Sequence, residues 1–288
     1  MAVVTTDLVD GVLTVTLGDE ANRNALGGQL VAELTAALDA AEADPEVRVI
    51  VLTNSGSVFC AGANLAERSS DAAPAAVRSP QDLFGRFARS PKPYVGRIAG
   101  HCVAGGMGLA AAMDISIALE DARFGFTEVR VGVAPAVISV VCLPKLRTAD
   151  ARSAFLRGNR FTGADAARMG LINAAVPADH LDAEVAAVVA DLLAGGPAAI
   201  AAAKRLLLEV PGMPREDAFA FTGELSARLF GTDEAREGMT AYLEKRPAAW
   251  VPSRPDEGAL PCARPSPTCS ASTCRSSRSV TAATSSPQ

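Results

Sequence analysis

The strongest constraint on the fold is an alternation of short apolar strands with helical segments over the first half of the chain. Two β-rich runs, 3–9 and 12–17, meet at Asp10-Gly11, a two-residue hairpin turn signal. An amphipathic helix over 27–43 and an apolar strand over 47–53 follow. Because strands that alternate with helices form a sheet covered by helices, this pattern predicts an α/β core.

The alternation continues to about residue 126, and the chain then becomes mostly helical. Further strands are predicted at 94–99, 114–118 and 123–126, with helices at 81–89 and 106–113. Pro and Gly punctuate the later helices, which are predicted at 149–157, 163–169, 181–194, 198–209, 215–230 and 233–246. The apolar stripes of the last two helices favour packing on another subunit, and packing within the chain stays open.

Two segments have the composition of chain without a core. Residues 69–80 are rich in Ala, Ser and Pro and predict a mobile loop. Residues 251–288 are dominated by Ser, Thr, Pro, Ala and Cys and have no apolar periodicity, so we expect a disordered tail. We also expect this tail to lie outside the functional unit.

Composition excludes several functions. The net charge of −5 and the pI near 5.2 leave no basic footprint for nucleic acid. No apolar run approaches the ~20 residues of a membrane span, and the first residues lack a signal peptide pattern, so a cytoplasmic location is expected. The six cysteines form no CxxC pair, and His101 and His180 are too few and too scattered to hold a metal. No Gly-x-Ser-x-Gly nucleophile motif is present.

Three local features are able to carry chemistry. Residues 55–64 form a small-residue turn after a strand, in which the N–H of Ala63 is free to point outward, although a plain tight loop has the same pattern. The glycine-rich turn 100–109 leads into a buried helix and leaves free N–H groups at its start. Close strand–helix packing would explain those glycines equally well.

Glu128 follows a short strand within apolar surroundings, where desolvation would raise its pKa and suit general acid/base work. The alternative is a surface glutamate paired with Arg130.

In this order, the three features resemble the enoyl-CoA hydratase/isomerase (crotonase) superfamily. The resemblance covers about residues 3–250. It includes Asn22-Arg-Asn-Ala-Leu26, the Phe-Cys-Ala-Gly-Ala loop, the Ala-Gly-Gly-Met-Gly helix start, Phe-Gly-Phe-Thr-Glu, the run 161–173 and Tyr242-Leu-Glu-Lys-Arg246. It implies a crotonase-type spiral of ββα units over 1–192 that contains an acyl-CoA site. A helical region over 193–250 would assemble a homotrimer, or a hexamer of two trimers.

The resemblance also implies roles for individual residues. The backbone N–H groups of Ala63 and Gly105 would form an oxyanion hole for the thioester oxygen, and Glu128 would move the proton. Hydratases of the family carry another glutamate at the position of Gly108, so this chain has only one. The expected activity is hydration of a 2-enoyl-CoA. The alternatives are isomerisation of a 3-enoyl-CoA by the same residues, or a catalytically weak acyl-CoA-binding protein.

Coenzyme A belongs to the substrate, and the resemblance implies no separate cofactor. Arg23 would lie near the CoA nucleotide, Ala25 would offer backbone contacts, and Lys245 would reach the CoA of a neighbouring subunit, although Arg23 and Lys245 are equally well read as solvated charges. Asn64 replaces a common aspartate beside the adenine. Further substrate contacts are expected from Ala61, Leu65, Gly106, Pro135 and Ala136. Bulky residues at 136–139 replace a glycine-rich stretch, which favours a short or branched acyl group.

Overall fold

A computed structural model describes residues 2–68 and 80–252 of the chain. The predicted mobile loop and the predicted tail fall outside these residues except at their edges. Within the described part, the strands are Val4–Val9 (β1), Val12–Leu17 (β2), Val49–Asn54 (β3), Val58–Cys60 (β4), Tyr94–Ile98 (β5), His101–Val103 (β6), Ile115–Leu119 (β7), Arg123–Gly125 (β8), Phe161–Thr162 (β9) and Ala174–Val176 (β10).

Helices separate and follow these strands. They are Gly28–Ala43 (α1), Leu65–Arg68 (α2), Pro80–Arg89 (α3), Gly105–Ala112 (α4), Ala136–Cys142 (α5), Thr148–Arg157 (α6), Gly163–Arg168 (α7), Leu181–Ala194 (α8), Pro197–Glu209 (α9), Arg215–Phe230 (α10) and Asp233–Glu244 (α11). Short 3₁₀ turns occur at Glu20–Asn22, Thr127–Val131 and Val210–Gly212.

The strands form two sheets that share consecutive strand pairs. The larger sheet has the order β1-β2-β3-β5-β7-β10 and is parallel except for the β1–β2 hairpin. The smaller sheet has the order β4-β6-β8-β9. In each of the consecutive pairs β3/β4, β5/β6 and β7/β8, the first strand belongs to the larger sheet and the second strand belongs to the smaller sheet. The chain therefore winds through repeated ββα units. The predicted α/β spiral is confirmed.

Local chemistry explains the elements that the pattern predicted. The hairpin turns at Asp10 (φ 48°) and Gly11 (φ 80°), the two left-handed residues of a type I′ turn. Every residue of β3 is buried, because this parallel strand is covered on both faces. The largest apolar cluster draws on both sheets, whereas α8 covers the other face of the larger sheet with Leu181, Val185 and Val189.

The smaller sheet was not predicted as a sheet. Of its strands only β8 was expected, because β4 and β6 have three residues each and β9 has two, too few to show an alternating pattern. Helix α5 and strand β10 were also missed. These short elements matter for function, since β4 and β6 carry the two glycine-containing loops.

The last three helices leave apolar side chains uncovered by the described residues. Helix α9 is attached to the core by Lys204, whose Nζ donates to the carbonyls of Phe87 (2.8 Å) and Lys92 (2.9 Å) and pairs with Asp114. The large exposed apolar residues on α9, α10 and α11 are Leu207, Leu208, Phe219, Phe230, Met239, Tyr242 and Leu243. Among the described helices, none alone is long and apolar enough to cross a membrane, and only α8 with α9, bent by 106°, pass that test as a pair.

Candidate active site

The loop after β4 needs a glycine at its centre. Gly62 has φ +87°, and a Cβ atom there would lie 2.6 Å from the Cβ of Ala104 and 2.8 Å from the amide nitrogen of Gly105. Both the backbone conformation and the close approach exclude a side chain. Gly62 therefore allows the loop after β4 to lie directly against the start of α4.

Two backbone donors meet where these loops touch. Gly105 is the first residue of α4, so its N–H has no acceptor within the helix. A methyl group on Gly105 would lie 3.6 Å from the amide nitrogen of Ala63. Among the described residues, neither the Ala63 N–H nor the Gly105 N–H has a hydrogen-bond acceptor. Two adjacent unpaired N–H groups, one of them at a helix start, suit a negatively charged oxygen.

Glu128 lies in the 3₁₀ turn after β8, beside the second loop. The N–H of Ala104 donates to the carbonyl of Gly125 (2.9 Å), which joins the start of α4 to the strand that precedes Glu128. The Glu128 side chain is half-buried, and its Oε2 has no hydrogen-bond partner among the described residues. Burial raises the pKa of this carboxyl, and the bond from its own backbone N–H opposes that shift.

The surroundings of Glu128 exclude the surface ion pair considered from sequence. Arg130 donates to the carbonyl of Arg157 (3.1 Å) and forms no ion pair with Glu128 in the described structure. That interpretation is wrong. A desolvated carboxyl without a cation beside it retains a proton to higher pH, which suits a group that both accepts and returns protons.

The position of the absent second carboxylate is closed. Gly108 is buried in α4, and a Cβ atom on it would lie 2.5 Å from Cγ2 of Ile138 and 2.9 Å from the ring of Phe84. Pro135 is buried just before α5, and Ala136 is exposed at its first turn. Within the bulky stretch 136–139, the side chain of Ile138 packs on α4 at Gly108. Together with Phe84 it forms an apolar wall over this position.

The predicted CoA contacts fall into two groups. Arg23 is exposed and Ala25 is buried. The N–H of Ala61 donates to the carbonyl of Arg23 (3.1 Å), so this segment lies beside the loop after β4. Leu65 is exposed at the start of α2. These residues lie near Ala63, and their contacts with substrate stay predictions.

Three other predicted residues have structural partners or lie elsewhere. The Asn64 side chain accepts from the N–H of Ala66 (3.1 Å) and donates to Glu67 (2.8 Å), so it caps α2. A Cβ on Gly106 would lie 2.5 Å from the carbonyl oxygen of Cys60, so this glycine allows α4 to pack on β4. Lys245 is exposed at the end of α11, a helix that contacts α10. Its contact with a neighbouring subunit stays a prediction.

The buried thiols are inert. Cys60 is fully buried, and burial raises its pKa to about 12, so it is the small packed residue that the sequence predicted.

His101 is exposed, and its Nδ1 accepts from the N–H of Arg123 (3.0 Å). In the described ranges, no group of three His, Cys, Asp or Glu residues is arranged to hold a metal.

Sequence reasoning missed residues whose importance depends on tertiary contacts. Phe84 lies on α3, distant in sequence from the Gly108 position that its ring covers. Asn24 is buried and bonded to β4, although it stands inside a motif that the sequence did reveal. The feature of the sequence that could have revealed Asn24 is its place as a polar residue between two predicted CoA contacts, Arg23 and Ala25.

Together, the fold and this site define an α/β protein with two adjacent unpaired N–H groups on its glycine-containing loops and a desolvated carboxyl in the turn that follows β8. The enoyl-CoA hydratase/isomerase family matches residues 7–253. The chain is 32% identical over 243 residues to the enoyl-CoA hydratase EchA19 of Mycobacterium tuberculosis, covering 81% of this chain and 91% of the relative. It is 31% identical over 238 residues to the 2,3-dehydroadipyl-CoA hydratase of Escherichia coli, covering 82% of this chain and 93% of that protein.

A solved structure agrees with this match. The crystal structure of an enoyl-CoA hydratase from Mycobacterium smegmatis superposes with a TM-score of 0.80 at 30% identity, covering 86% of this chain and 98% of that one. The chain therefore belongs to the enoyl-CoA hydratase/isomerase family and has the crotonase fold. The family membership expected from the motifs is confirmed.

Proposed function

We propose that this protein is an enoyl-CoA hydratase-type lyase that acts on a 2-enoyl-CoA thioester with a short or branched acyl group. The observation that carries the proposal is the pair of adjacent, unpaired N–H groups of Ala63 and Gly105. The hydratase names of the relatives support the reaction class. The apolar wall at Ile138 supports a small acyl group.

In this mechanism the thioester oxygen accepts from both N–H groups. Negative charge develops on that oxygen as the enolate forms, and each fixed donor contributes about 10²–10³-fold to the rate. Glu128 takes a proton from water while the water oxygen bonds to C3, and then returns a proton to C2. One carboxylate is sufficient for this balance, because the proton that it accepts is replaced by the one that it gives.

The same proposal includes the substrate's CoA moiety and the assembly. Arg23 supplies a cation near the nucleotide phosphates, and Lys245 extends toward the CoA of an adjacent subunit. The exposed apolar residues of α9, α10 and α11 support a homotrimer, or a hexamer built from two trimers. No separate cofactor is required, and we place the enzyme in the cytoplasm. Sedimentation velocity on the full chain tests the assembly, and a monomer at micromolar concentration would contradict it.

A second reaction, Δ3,Δ2-enoyl-CoA isomerisation, is favoured by one observation. The space at Gly108, where a second carboxylate would help to hold water, is filled by Phe84 and Ile138. In an isomerase, Glu128 removes a proton from C2 of a 3-enoyl-CoA and returns it to C4, and no water takes part. The oxyanion hole has the same role in both reactions.

A paired assay on the full chain separates these reactions. The enzyme receives a short 2-enoyl-CoA and, separately, the matching 3-enoyl-CoA, and the absorbance of the conjugated thioester is followed. Loss of absorbance from the 2-enoyl substrate supports the hydratase, whereas a gain from the 3-enoyl substrate without hydration supports the isomerase. Equal negligible turnover by the wild type and Glu128→Gln, with acyl-CoA still bound, would reduce the protein to an acyl-CoA-binding member.

A further inference from the structure

Asn24 is a buried polar residue that the proposed chemistry does not use. Its side chain is 1% exposed, and Nδ2 donates a 2.8 Å hydrogen bond to the carbonyl of Val58 at the start of β4. Its Oδ1 is buried without a hydrogen-bond partner in the described structure. An unpaired buried oxygen is costly, so the favourable contribution of this side chain comes from its single donor bond to Val58.

The backbone at this position restricts which residues fit. Arg23 (φ 54°) and Asn24 (φ 50°) are consecutive left-handed residues. Asparagine is one of the few residues besides glycine that adopt this conformation readily. The two left-handed residues reverse the chain so that Arg23 is exposed while the Asn24 side chain enters the protein.

The segment that Asn24 begins controls one donor of the oxyanion hole. The N–H of Leu26 donates a 2.7 Å hydrogen bond to the carbonyl of Gly62. That carbonyl and the N–H of Ala63 belong to the same planar trans peptide and point in opposite directions. The bond from Leu26 therefore fixes the direction of the Ala63 N–H. A second bond, from the N–H of Ala61 to the carbonyl of Arg23 (3.1 Å), holds the two segments in register.

We propose that Asn24 is a positioning residue for the oxyanion hole, an inference that rests on the proposed function. Its bond to Val58 fixes the segment 23–26 against β4, and Leu26 then fixes the peptide that carries the Ala63 donor. A hole donor is effective because it is aimed before the reaction begins. Loss of the Asn24 side chain therefore lets this peptide plane rotate, although Ala63 and Gly105 are unchanged.

The test uses a conjugated dienoyl-CoA thioester as the probe, because hydrogen bonds to its carbonyl shift its absorption to longer wavelength. We compare Asn24→Gly, which keeps the left-handed backbone and removes the donor, with Asp10→Gly. Asp10 is left-handed as well (φ 48°) but lies in the hairpin turn, so it is a matched control. Glu128→Gln is a second control, since it retains both hole donors.

The wild type, Asp10→Gly and Glu128→Gln are expected to shift the probe absorption at saturation, and Asn24→Gly is expected to lose most of the shift. Turnover by Asn24→Gly falls about tenfold to a hundredfold, below the 10²–10³-fold cost of losing a whole hole donor. KM and the Kd for free CoA, which has no acyl carbonyl, stay within about twofold, a free-energy change under about 0.5 kcal/mol.

Either of two results in Asn24→Gly would overturn the assignment of Asn24. If Asn24→Gly has the absorption shift and the turnover of the wild type, the peptide between Gly62 and Ala63 keeps its orientation without the Asn24 side chain. Loss of free CoA binding together with the shift shows that Asn24 holds the nucleotide-binding segment instead. If Asn24→Gly does not fold, Asn24→Ser takes its place. Its hydroxyl is one bond too short for the 2.8 Å contact with the Val58 carbonyl, so it is expected to lose the shift as well, and a wild-type shift in Asn24→Ser counts against the proposal. If the wild type shows neither shift nor turnover, the proposed function fails as well.

Discussion

The aromatic ring of Phe84 lies 2.9 Å from the point that a Cβ atom on Gly108 would occupy. The same point is 2.5 Å from Cγ2 of Ile138. Phe84 and Ile138 are 4% exposed each, so they cannot swing away into solvent without opening the core. Packing therefore closes this position, because no longer side chain at Gly108 has room.

Gly108→Glu is expected to add no hydratase activity on its own. Inserting a side chain into this wall costs about 1–3 kcal/mol of folding free energy or more, since it displaces packed neighbours. The double variant Gly108→Glu/Ile138→Ala creates space and is expected to hydrate a 2-enoyl-CoA faster than Gly108→Glu. Steady-state assays and urea unfolding measure both effects.

The matched control is Gly223→Ala. Gly223 lies within α10 and a Cβ atom there has nothing within 4 Å. This change is expected to raise stability by about 0.5–1 kcal/mol, because alanine loses less conformational freedom in a helix than glycine. A Gly108→Glu protein as stable as the wild type would show that Phe84 and Ile138 move aside at little cost in folding free energy.

Glu128→Gln is expected to lower turnover by about 10²–10⁴-fold, the usual contribution of a general acid/base group. In the proposed mechanism the active form of Glu128 is the carboxylate, so kcat/KM of the wild type is expected to fall as pH decreases through the raised pKa of Glu128. The acid limb of the pH profile therefore lies above the ordinary value of 4.5. An acid limb at or below that value, or a Glu128→Gln variant with wild-type turnover, would contradict the assignment.

The same carboxyl has a predictable effect on stability. Because the folded protein raises its pKa, the protonated form is favoured by folding. Its stabilising effect is complete below pH 4.5 and is lost as pH rises through the raised pKa. Glu128→Gln is therefore expected to be more stable than the wild type at pH 7, with a difference that disappears below pH 4.5. Urea titrations at both pH values measure this, and a variant that is less stable at pH 7 would contradict it.

The sequence predicted long elements well because their signals are local. Helices at 181–194 and 215–230 have the predicted bounds, since Gly and Pro residues punctuate them. The motifs also indicated the Ala63 and Gly105 loops. By contrast, the wall over Gly108 joins α3, α4 and α5, and no local pattern encodes a contact between residues so far apart. The unpaired state of Glu128 was equally hidden, because Arg130 turns toward Arg157 only in three dimensions.

Gly62→Ala is expected to abolish most of the activity. A methyl group at this left-handed position meets the Gly105 nitrogen at 2.8 Å, so the two hole donors must separate. Loss of one donor costs about 10²–10³-fold in turnover. Gly11→Ala is the control, because Gly11 has a similar φ (+80°) in the hairpin turn, and its nearest neighbour is Cγ of Arg48 at 3.2 Å, a longer approach than the 2.8 Å at Gly62. Both variants lose about 1–2 kcal/mol from left-handed strain, and only Gly62→Ala loses catalysis. Equal activities of Gly62→Ala and Gly11→Ala would show that catalysis does not need the close contact between Gly62 and Gly105.

Lys204 is a buried cation that joins the C-terminal helices to the core. It is 7% exposed, and burial lowers its pKa against the opposing charge of Asp114. Asp114 also accepts from the N–H of Tyr94 (2.7 Å), so the pair connects α9 to β5. Lys204 is buried and the Asp114 side chain is 24% exposed, so the pair contributes little by itself. Removal of Lys204, however, leaves a partly buried carboxylate without its cation and two carbonyls without their donor.

Lys204→Met is accordingly expected to destabilise the protein by about 3–5 kcal/mol in urea unfolding at one fixed protein concentration. The control is Arg236→Met, which breaks the exposed pair with Asp233 on α11 and is expected to cost at most about 1 kcal/mol. The double variant Lys204→Met/Asp114→Asn removes both charges, and its loss is expected to be smaller than the sum of the two single losses. A Lys204→Met protein that loses no more than Arg236→Met would mean that α9 is held by apolar contacts alone.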